Sequence, residues 1–398
     1  MKFIARTLRQ LIGKNDPGYE PLLRVEISKS AILNNLKEVQ KKTSWKIAPV
    51  LKSNAYGHGL TQVAHIIESD KANAVPFLIV DSFYEALMLR NDGIKTPLLI
   101  IGYTPTETIM SCDEKHISFT ITSKDQAYEI AANIKFPVSL HIKIDTGMHR
   151  QGIRIDELDE VTTDLALNKH LHIDGACSHL ADADGSDESF TKLQIERWGI
   201  ACQKVKHRFP GIRYFHVSNT AGATFAKTIL DLAPLTNTGR LGIGLYGITP
   251  LLAEHRSKLE NLKPALQMFT SISGVKSVYP KEKVGYGCTF SATKEMRVAT
   301  IPAGYYEGID RRLSNKGHVE IFDAGVWKKV PIIARVSMNI TIIDVTDVVG
   351  AQLHTPVRII SNASGAGNSF IEIAELIGTI PYELMVKIPQ HIRRVVVS

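Results

Sequence analysis

From residue 45 to residue 247 the chain repeats one pattern: a short apolar run, a turn, then a stretch with helical spacing of apolar positions. The apolar runs are WKIAPVLK (45–52), AVPFLIV (74–80), PLLII (97–101), ISFTI (117–121) and VSLHIKID (138–145). LHIDGACSHL (171–180), YFHVSN (214–219) and RLGIGLYG (240–247) continue the series. Runs this short, bounded by turn residues, suit buried strands. Between them, SFYEALMLRNDG ends in Gly, TSKDQAYEIAANIK begins on capping hydroxyls, and SFTKLQIERWGIACQKVKHRF is long and amphipathic. Eight strands alternating with helices predict a parallel sheet, and eight is the number that closes a (β/α)8 TIM barrel.

After about residue 250 the period changes. TSISGVKSV, RVATIPAG, HVEIFDAG, KKVPIIARVS, ITIIDVTD and PVRIIS follow at spacings that suit an antiparallel sheet or barrel. The expected class is therefore α/β, a TIM barrel over residues 29–250 followed by a mostly β C-terminal domain over residues 251–398. LLRVEIS (22–28) reads as a strand ahead of the helix SAILNNLKEVQKK. Residues 1–28 are expected to form an extension whose strand pairs with the C-terminal domain. A length of 398 residues agrees with two domains, since single cores stop growing near ~250–300.

Composition narrows the function. With 44% hydrophobic and 22% charged residues the chain is an ordinary soluble protein. The formal charge of +7 raises the question of nucleic acid, but Lys and Arg are interspersed with Asp and Glu in no block of five or six. No nucleic-acid partner is expected, and a mild positive field suits a phosphate-bearing small molecule. Cys112, Cys177, Cys202 and Cys288 show no CxxC spacing, so reduced thiols and no metal site are expected. The start, MKFIARTLRQLIGK, lacks the apolar segment of a signal peptide, and no run approaches the ~18 apolar residues of a membrane span. A cytoplasmic protein without membrane contact is expected.

Active sites of TIM barrels lie at the C-terminal ends of the strands. There this sequence places Lys52, Arg150, His179, Ser218-Asn219-Thr220 and Arg240. The glycine-rich SNTAG and GRLGIG fall after strands seven and eight, where the fold seats phosphate on backbone N–H groups. A lysine ending an apolar strand either pairs with a carboxylate or, neutralised by burial, attacks an aldehyde as a Schiff-base amine. Spacing alone leaves both readings open.

The words around it go further. APVLKSNAYGHG resembles the cofactor-lysine motif of the alanine racemases, pyridoxal 5′-phosphate (PLP) enzymes of the barrel fold. KIDTGMHRQG (143–152), CSHLADAD (177–184), HVSNTAG (216–222) and GRLGIGLYG (239–247) resemble that family's barrel segments in order. VGYGCTF (284–290), IPAGYYEGIDRR (301–312), ARVSMN (334–339) and IPYELM (380–385) resemble its β-domain segments, so the likeness spans roughly residues 22–395.

The resemblance implies a role for each matching residue. Lys52 would carry PLP as a Schiff base and, once freed, act as one base; Tyr286 would be the second, on the opposite face of the substrate. A phenol titrates near ~10 in water, so a tyrosine base needs cationic neighbours. In the family this tyrosine reaches the barrel of the partner subunit, which implies a homodimer. Arg240 would face the pyridine nitrogen and keep it unprotonated, and His179 would hydrogen-bond toward Arg240 or Tyr286. Tyr56, Thr220, the Gly242-Ile243 backbone and Tyr382 match phosphate-contacting positions. Arg150 would steer the cofactor's phenolic oxygen and the substrate carboxylate, which the Met338 N–H would also bind. Lys143 matches a lysine carbamylated in many members; an ammonium paired with a nearby acid is the other reading. Asp184, Asn219, His216 and Tyr305 match supporting or entrance positions.

One residue departs from the pattern. Where the family usually has Asp after the methionine, this chain has Asn339, which puts carboxylate affinity and substrate range in question. Three rival functions share part of the sequence. A barrel-type PLP decarboxylase would lack the VGYG tyrosine, and a non-catalytic cofactor-binding barrel would lack residues 251–398. A racemase of the same family acting on serine shares everything. Tyr286 and Tyr382 would leave the side-chain pocket room for little more than a methyl, and one methylene changes the energy by only ~1–3 kcal/mol.

Overall fold

A computed structural model describes residues 21–363 and 365–398. Residues 1–20, the basic N-terminal stretch among them, lie outside the described residues, whereas the strand expected at 22–28 is present as Arg24–Ser28. The chain divides into two compact units. One comprises Val25–Gln267 with Ile360–Ser398; the other comprises the described residues up to Arg24 with Met268–Ile359.

The first unit is built on eight parallel strands: Lys46–Pro49, Leu78–Val80, Leu98–Ile100, Ile117–Ile121, Val138–Asp145, Leu171–Cys177, Tyr214–His216 and Thr238–Leu241. Strands two to seven pair in sequence order, and strand eight pairs with strand one in the register Gly239↔Ile47 and Arg240↔Ala48. Two seams complete the ring. Val50 bridges to Ile79, and Arg240 N–H donates to Ser218 O at 3.0 Å. The barrel expected from the apolar runs is therefore closed.

Several of its helices begin where a serine side chain satisfies one of the first free N–H groups. Ser28, Ser82 and Ser123 accept from Ala31, Glu85 and Gln126, and open the helices Lys29–Thr43, Phe83–Asn91 and Lys124–Asn133. The long helix Ser189–Arg208 turns Trp198 fully inward, where its Nε1–H donates to Thr236 Oγ1 at 2.9 Å. The eighth apolar run behaves differently from its expected strand. It pairs only over Thr238–Leu241 and then coils into a 3-10 turn, Ile243–Tyr246. The reason is packing: Gly244 N–H donates to Thr220 Oγ1 at 3.2 Å, and a Cβ on Gly244 would lie 2.6 Å from Thr220 Cγ2. The same unit ends with the helices Phe370–Ile377 and Pro381–Val386 and the strand Arg393–Val397. Among the described residues no helix is long and apolar enough to cross a membrane.

The second unit is the antiparallel sheet expected from the β-rich runs. Gly274–Val278, Met296–Ile301, Thr341–Asp344, Val326–Ile333 and His318–Asp323 lie side by side in that order. Val278, Met296, Val298 and Ile333 alternate inward, as a sheet with one buried face requires, and pack with Val284 and Ala334.

Candidate active site

Lys52 follows the first strand at its C-terminal end, and the chain then does something costly. Ser53 (φ 56°), Asn54 (φ 56°), Ala55 (φ 52°) and Tyr56 (φ 51°) are four consecutive non-glycine residues in the left-handed region. Each such residue costs about 1–2 kcal/mol, so neighbours must hold the turn. Asn54 N–H donates to Glu85 Oε1 at 3.2 Å, and Asn54 Oδ1 accepts from Leu60 N–H at 2.9 Å. Gly57 (φ 79°) closes the turn against the last helix, where any Cβ would sit 2.0 Å from Met385 O. The Arg394 guanidinium donates to Gly57 O at 2.9 Å as well as to the carbonyls of Ile388, Pro389 and Ile392. Burial pulls Arg394 down to about 10.

The strand ends surround a cavity of about 470 Å³. Its wall brings together Lys52, Tyr56, Arg150, His179, Asn219 and Thr220, with Arg240, Gly242, Ile243 and Tyr382. Lys143 and Asp184 line it too. At one end Gly242 faces the Tyr56 hydroxyl so closely that a Cβ would lie 2.9 Å from it, with Thr220 Oγ1 beyond. Tyr56 is nearly buried between Tyr246 (ring centroids 5.0 Å apart) and Tyr382 (6.0 Å). Burial raises its phenol to about 12, with Asp81 adding to the rise and Arg240 opposing it, so the hydroxyl stays a hydrogen-bond donor. Burial likewise raises Tyr382.

Across the cavity Arg240 is buried with no carboxylate partner among the described residues. Its NH1 donates to His216 O at 2.5 Å and to His216 Nδ1 at 3.0 Å. Its NH2 donates to Ser178 O at 2.7 Å, Val217 O at 3.1 Å and His179 Nδ1 at 3.0 Å. Only the Nε–H has no partner among the described residues. Because a guanidinium can only donate, His216 Nδ1 and His179 Nδ1 must both accept, which fixes the protons of both rings on Nε2. His216 Nε2–H then donates to His141 Nδ1 at 2.8 Å. Burial first, and Arg240 second, hold His179 and His216 well below the usual histidine range. Burial drives His141 down to about 3. The three rings are neutral props under a permanent cation.

Lys143 projects from the fifth strand beside Cys177. Burial lowers it to about 8, Cys177 opposing and Arg240 and Arg150 reinforcing the fall. Asp145 also opposes the fall, and no ion pair to Lys143 occurs among the described residues.

Tyr286, Met338 and Tyr305 belong to the β unit. Tyr286 sits on a turn made possible by Gly285 (φ 71°) and Gly287 (φ 70°), and is 70% exposed. The Arg335 guanidinium lies over the same turn, 3.2 Å from where a Gly287 Cβ would be. The Met338 N–H has no hydrogen-bond partner among the described residues, while its carbonyl accepts from Tyr306 N–H at 2.9 Å.

Sequence reading missed His141, Cys177, Glu85 and Arg394. A signal existed for the first: His141 lies two residues before Lys143 on one strand, hence on the same face. Glu85 and Arg394 act through contacts distant in sequence, which no local pattern announces.

The donor set suits a flat ring bearing an aldehyde and a phosphate. Lys52 offers an amine, Tyr56 and Thr220 offer hydroxyls beside the bare Gly242 backbone, and Arg240 offers one N–H opposite. Comparison with known proteins points the same way. The family model described as alanine racemase, N-terminal domain, matches residues 27–250, and that described as alanine racemase, C-terminal domain, matches residues 265–396. Alanine racemase 2 of Caldanaerobacter subterraneus subsp. tengcongensis is 33% identical over 378 residues, 94% of each chain. The alanine racemase of Methanococcus maripaludis is 34% identical over 379 residues, 93% of this chain and 97% of that one. Among solved structures, an alanine racemase of Clostridium difficile 630 superposes with a TM-score of 0.84 at 28% identity, covering 95% and 96%. That of Bacillus anthracis with bound L-Ala-P gives 0.83 at 30% identity, covering 96% of each chain.

Proposed function

The chain belongs to the alanine racemase family, and from that premise we propose that it is a PLP-dependent enzyme interconverting L-alanine and D-alanine, with Lys52 and Tyr286 as its two bases. The observation that carries this reading is the Lys52 amine at the rim of a cavity that also holds a hydroxyl-lined glycine cradle and a buried cation.

When bound, PLP withdraws electrons from the amino acid and so acidifies its Cα–H. The chain's own residues do the rest. Lys52 Nζ would hold the cofactor, and the costly left-handed turn behind it fixes where that nitrogen starts from. Tyr56 Oη and Thr220 Oγ1, with the Gly242-Ile243 backbone and Tyr382, would bind the phosphate. The Arg240 Nε–H would face the ring nitrogen and, as a fixed cation, would keep a proton off it. That would temper the electron withdrawal that the cofactor supplies. His179, His216 and His141, each with its tautomer set by the next, keep Arg240 in place and absorb no proton themselves. Arg150 and the unpartnered Met338 N–H bind the substrate carboxylate, and Asn219 and Asp184 line the approach.

Racemisation then needs a proton removed on one face and one delivered on the other. Lys52 serves one face; Tyr286 serves the other from a second copy of the chain, so the working unit is a homodimer. The exposure of Tyr286 and the Arg335 cation beside its turn support that assignment. Lys143, lowered toward a neutral amine and facing Arg150, is a candidate for carbamylation by CO₂, which would replace a third cation by an anion there. The barrel over residues 29–250 supplies Lys52 and most of the cofactor contacts, and residues 251–398 supply Tyr286, Met338 and Tyr382. Four free cysteines fit a cytoplasmic enzyme, and D-alanine for bacterial wall synthesis is the use that the resemblance implies.

The test is direct. Purified protein supplied with PLP and L-alanine, serine and a panel of longer amino acids is followed by chiral chromatography, with α-hydrogen exchange in D₂O read alongside. Alanine should racemise fastest and exchange its α-hydrogen. The visible band of the bound cofactor should vanish on borohydride reduction and be absent from Lys52→Ala. Faster turnover of serine would move the substrate; no band and no exchange would end the reading.

A further inference from the structure

The asparagine that departs from the family pattern has a partner. Asn339 Nδ2 donates to Glu307 Oε1 at 2.6 Å, and the other oxygen, Oε2, accepts from Gly304 N–H at 2.7 Å. Glu307 is buried, at 8% exposure, while Asn339 opens outward. The carboxylate can only accept, so the amide orientation is forced: the NH₂ faces Glu307 and the carbonyl oxygen faces away.

The two residues join two turns that are already laced together. Tyr305 N–H donates to Ser337 O at 3.0 Å and Tyr306 N–H to Met338 O at 2.9 Å. Gly304 lets the backbones touch, for a Cβ there would lie 2.2 Å from Ser337 O and 2.4 Å from Met338 O. Glu307 is thus anchored at Gly304 on one turn and reaches Asn339 on the other, one residue beyond the Met338 N–H. An aspartate at 339 would set two carboxylates at hydrogen-bond distance with one of them buried. Like charges so placed repel unless they share a proton.

We propose that Glu307 and Asn339 form a coupled positioning pair that sets the Met338 N–H for the substrate carboxylate, and that Asn339 is the residue the buried Glu307 requires. The inference rests on the assignment of Met338 as a carboxylate donor. The negative charge of this corner is carried by Glu307, tied and turned inward, and the face toward the substrate is a neutral amide oxygen. Asn339 touches no reacting atom; it acts through the turn it closes.

A reciprocal exchange tests the pair. In Glu307→Gln the new amide would offer its carbonyl oxygen to Gly304 N–H and its NH₂ to a carboxylate at 339. Combining it with Asn339→Asp therefore reverses the hydrogen bond and keeps it. The four holoenzymes (unmodified, each single variant, the double) are assayed for KM and kcat with alanine and for thermal unfolding. Asn339→Asp alone should raise KM by about tenfold, the scale of one charge-assisted hydrogen bond, with kcat changed by less than about twofold. It should also lower Tm. The double variant should recover both KM and Tm. An unchanged KM in Asn339→Asp, or a double variant no better than it, overturns the proposal. Failure of the unmodified enzyme to racemise alanine would instead refute the substrate assignment. In that event the Tm cycle, which needs no substrate, still decides whether the pair is coupled.

Discussion

Lowering the pH from 7.5 to 5.5 should strip the barrel of much of its stability, and the buried histidines set the size of the effect. His58 is held at about 4 and His141 at about 3, both first by burial, and His179 and His216 lie well below the usual range. All four stay neutral in the folded chain at pH 5.5, but each takes up a proton once unfolded, where histidine titrates near ~6.5. The unfolded state therefore binds more protons below that value, so stability falls as pH falls. One unit below ~6.5 the penalty is about 1.4 kcal/mol for each histidine, or roughly 5–6 kcal/mol for four. That compares with a typical total of ~5–15 kcal/mol. Lys143, at about 8, is already protonated through most of this window and adds little. Urea unfolding of the cofactor-free chain, followed by helical circular dichroism, reports the barrel unit because the α-helices lie there. His141→Asn, whose carbonyl can still accept from His216, should shrink the pH-dependent loss by about a quarter. A loss below about 2 kcal/mol, or the same loss in His141→Asn, would refute the claim that these rings stay neutral inside.

Two glycine replacements probe the cofactor end of the cavity. Gly57→Ala meets both a left-handed backbone and a carbonyl 2.0 Å away, so the cost should be about 2–4 kcal/mol, seen as a Tm lower by roughly 5 °C or more. Because the displaced helix carries Tyr382, PLP affinity measured by absorbance titration should fall with it; an unaltered Tm would contradict the packing. Gly242→Ala puts a methyl 2.9 Å from the Tyr56 hydroxyl, in the space a phosphate oxygen would use. It should weaken PLP binding by about tenfold or more while leaving the cofactor-free Tm within a degree or two, and equal affinity would refute a phosphate cradle at Gly242.

Much of this molecule is written locally. The eight apolar runs, spaced by amphipathic stretches and serine caps, dictated a parallel barrel, because strand and helix periods are properties of neighbouring residues. They also put Lys52, His179, Thr220 and Arg240 at strand ends, on the side where such barrels gather their chemistry. What the runs could not state is any conformation held from a distance. Ser53 to Tyr56 have no intrinsic reason to turn left-handed; Glu85, Met385 and Arg394 impose it, the last from 337 residues away along the chain. The eighth run had the composition of a strand, yet it stops pairing at Leu241 because Thr220 packs against Gly244. Asn339 looked like a lost charge until Glu307, 32 residues earlier, was found beside it. Local sequence sets backbone period and turn preference through short-range sterics. Tautomers, unusual φ angles and the placement of charge depend on which distant groups share a buried volume, and only the folded chain assembles those.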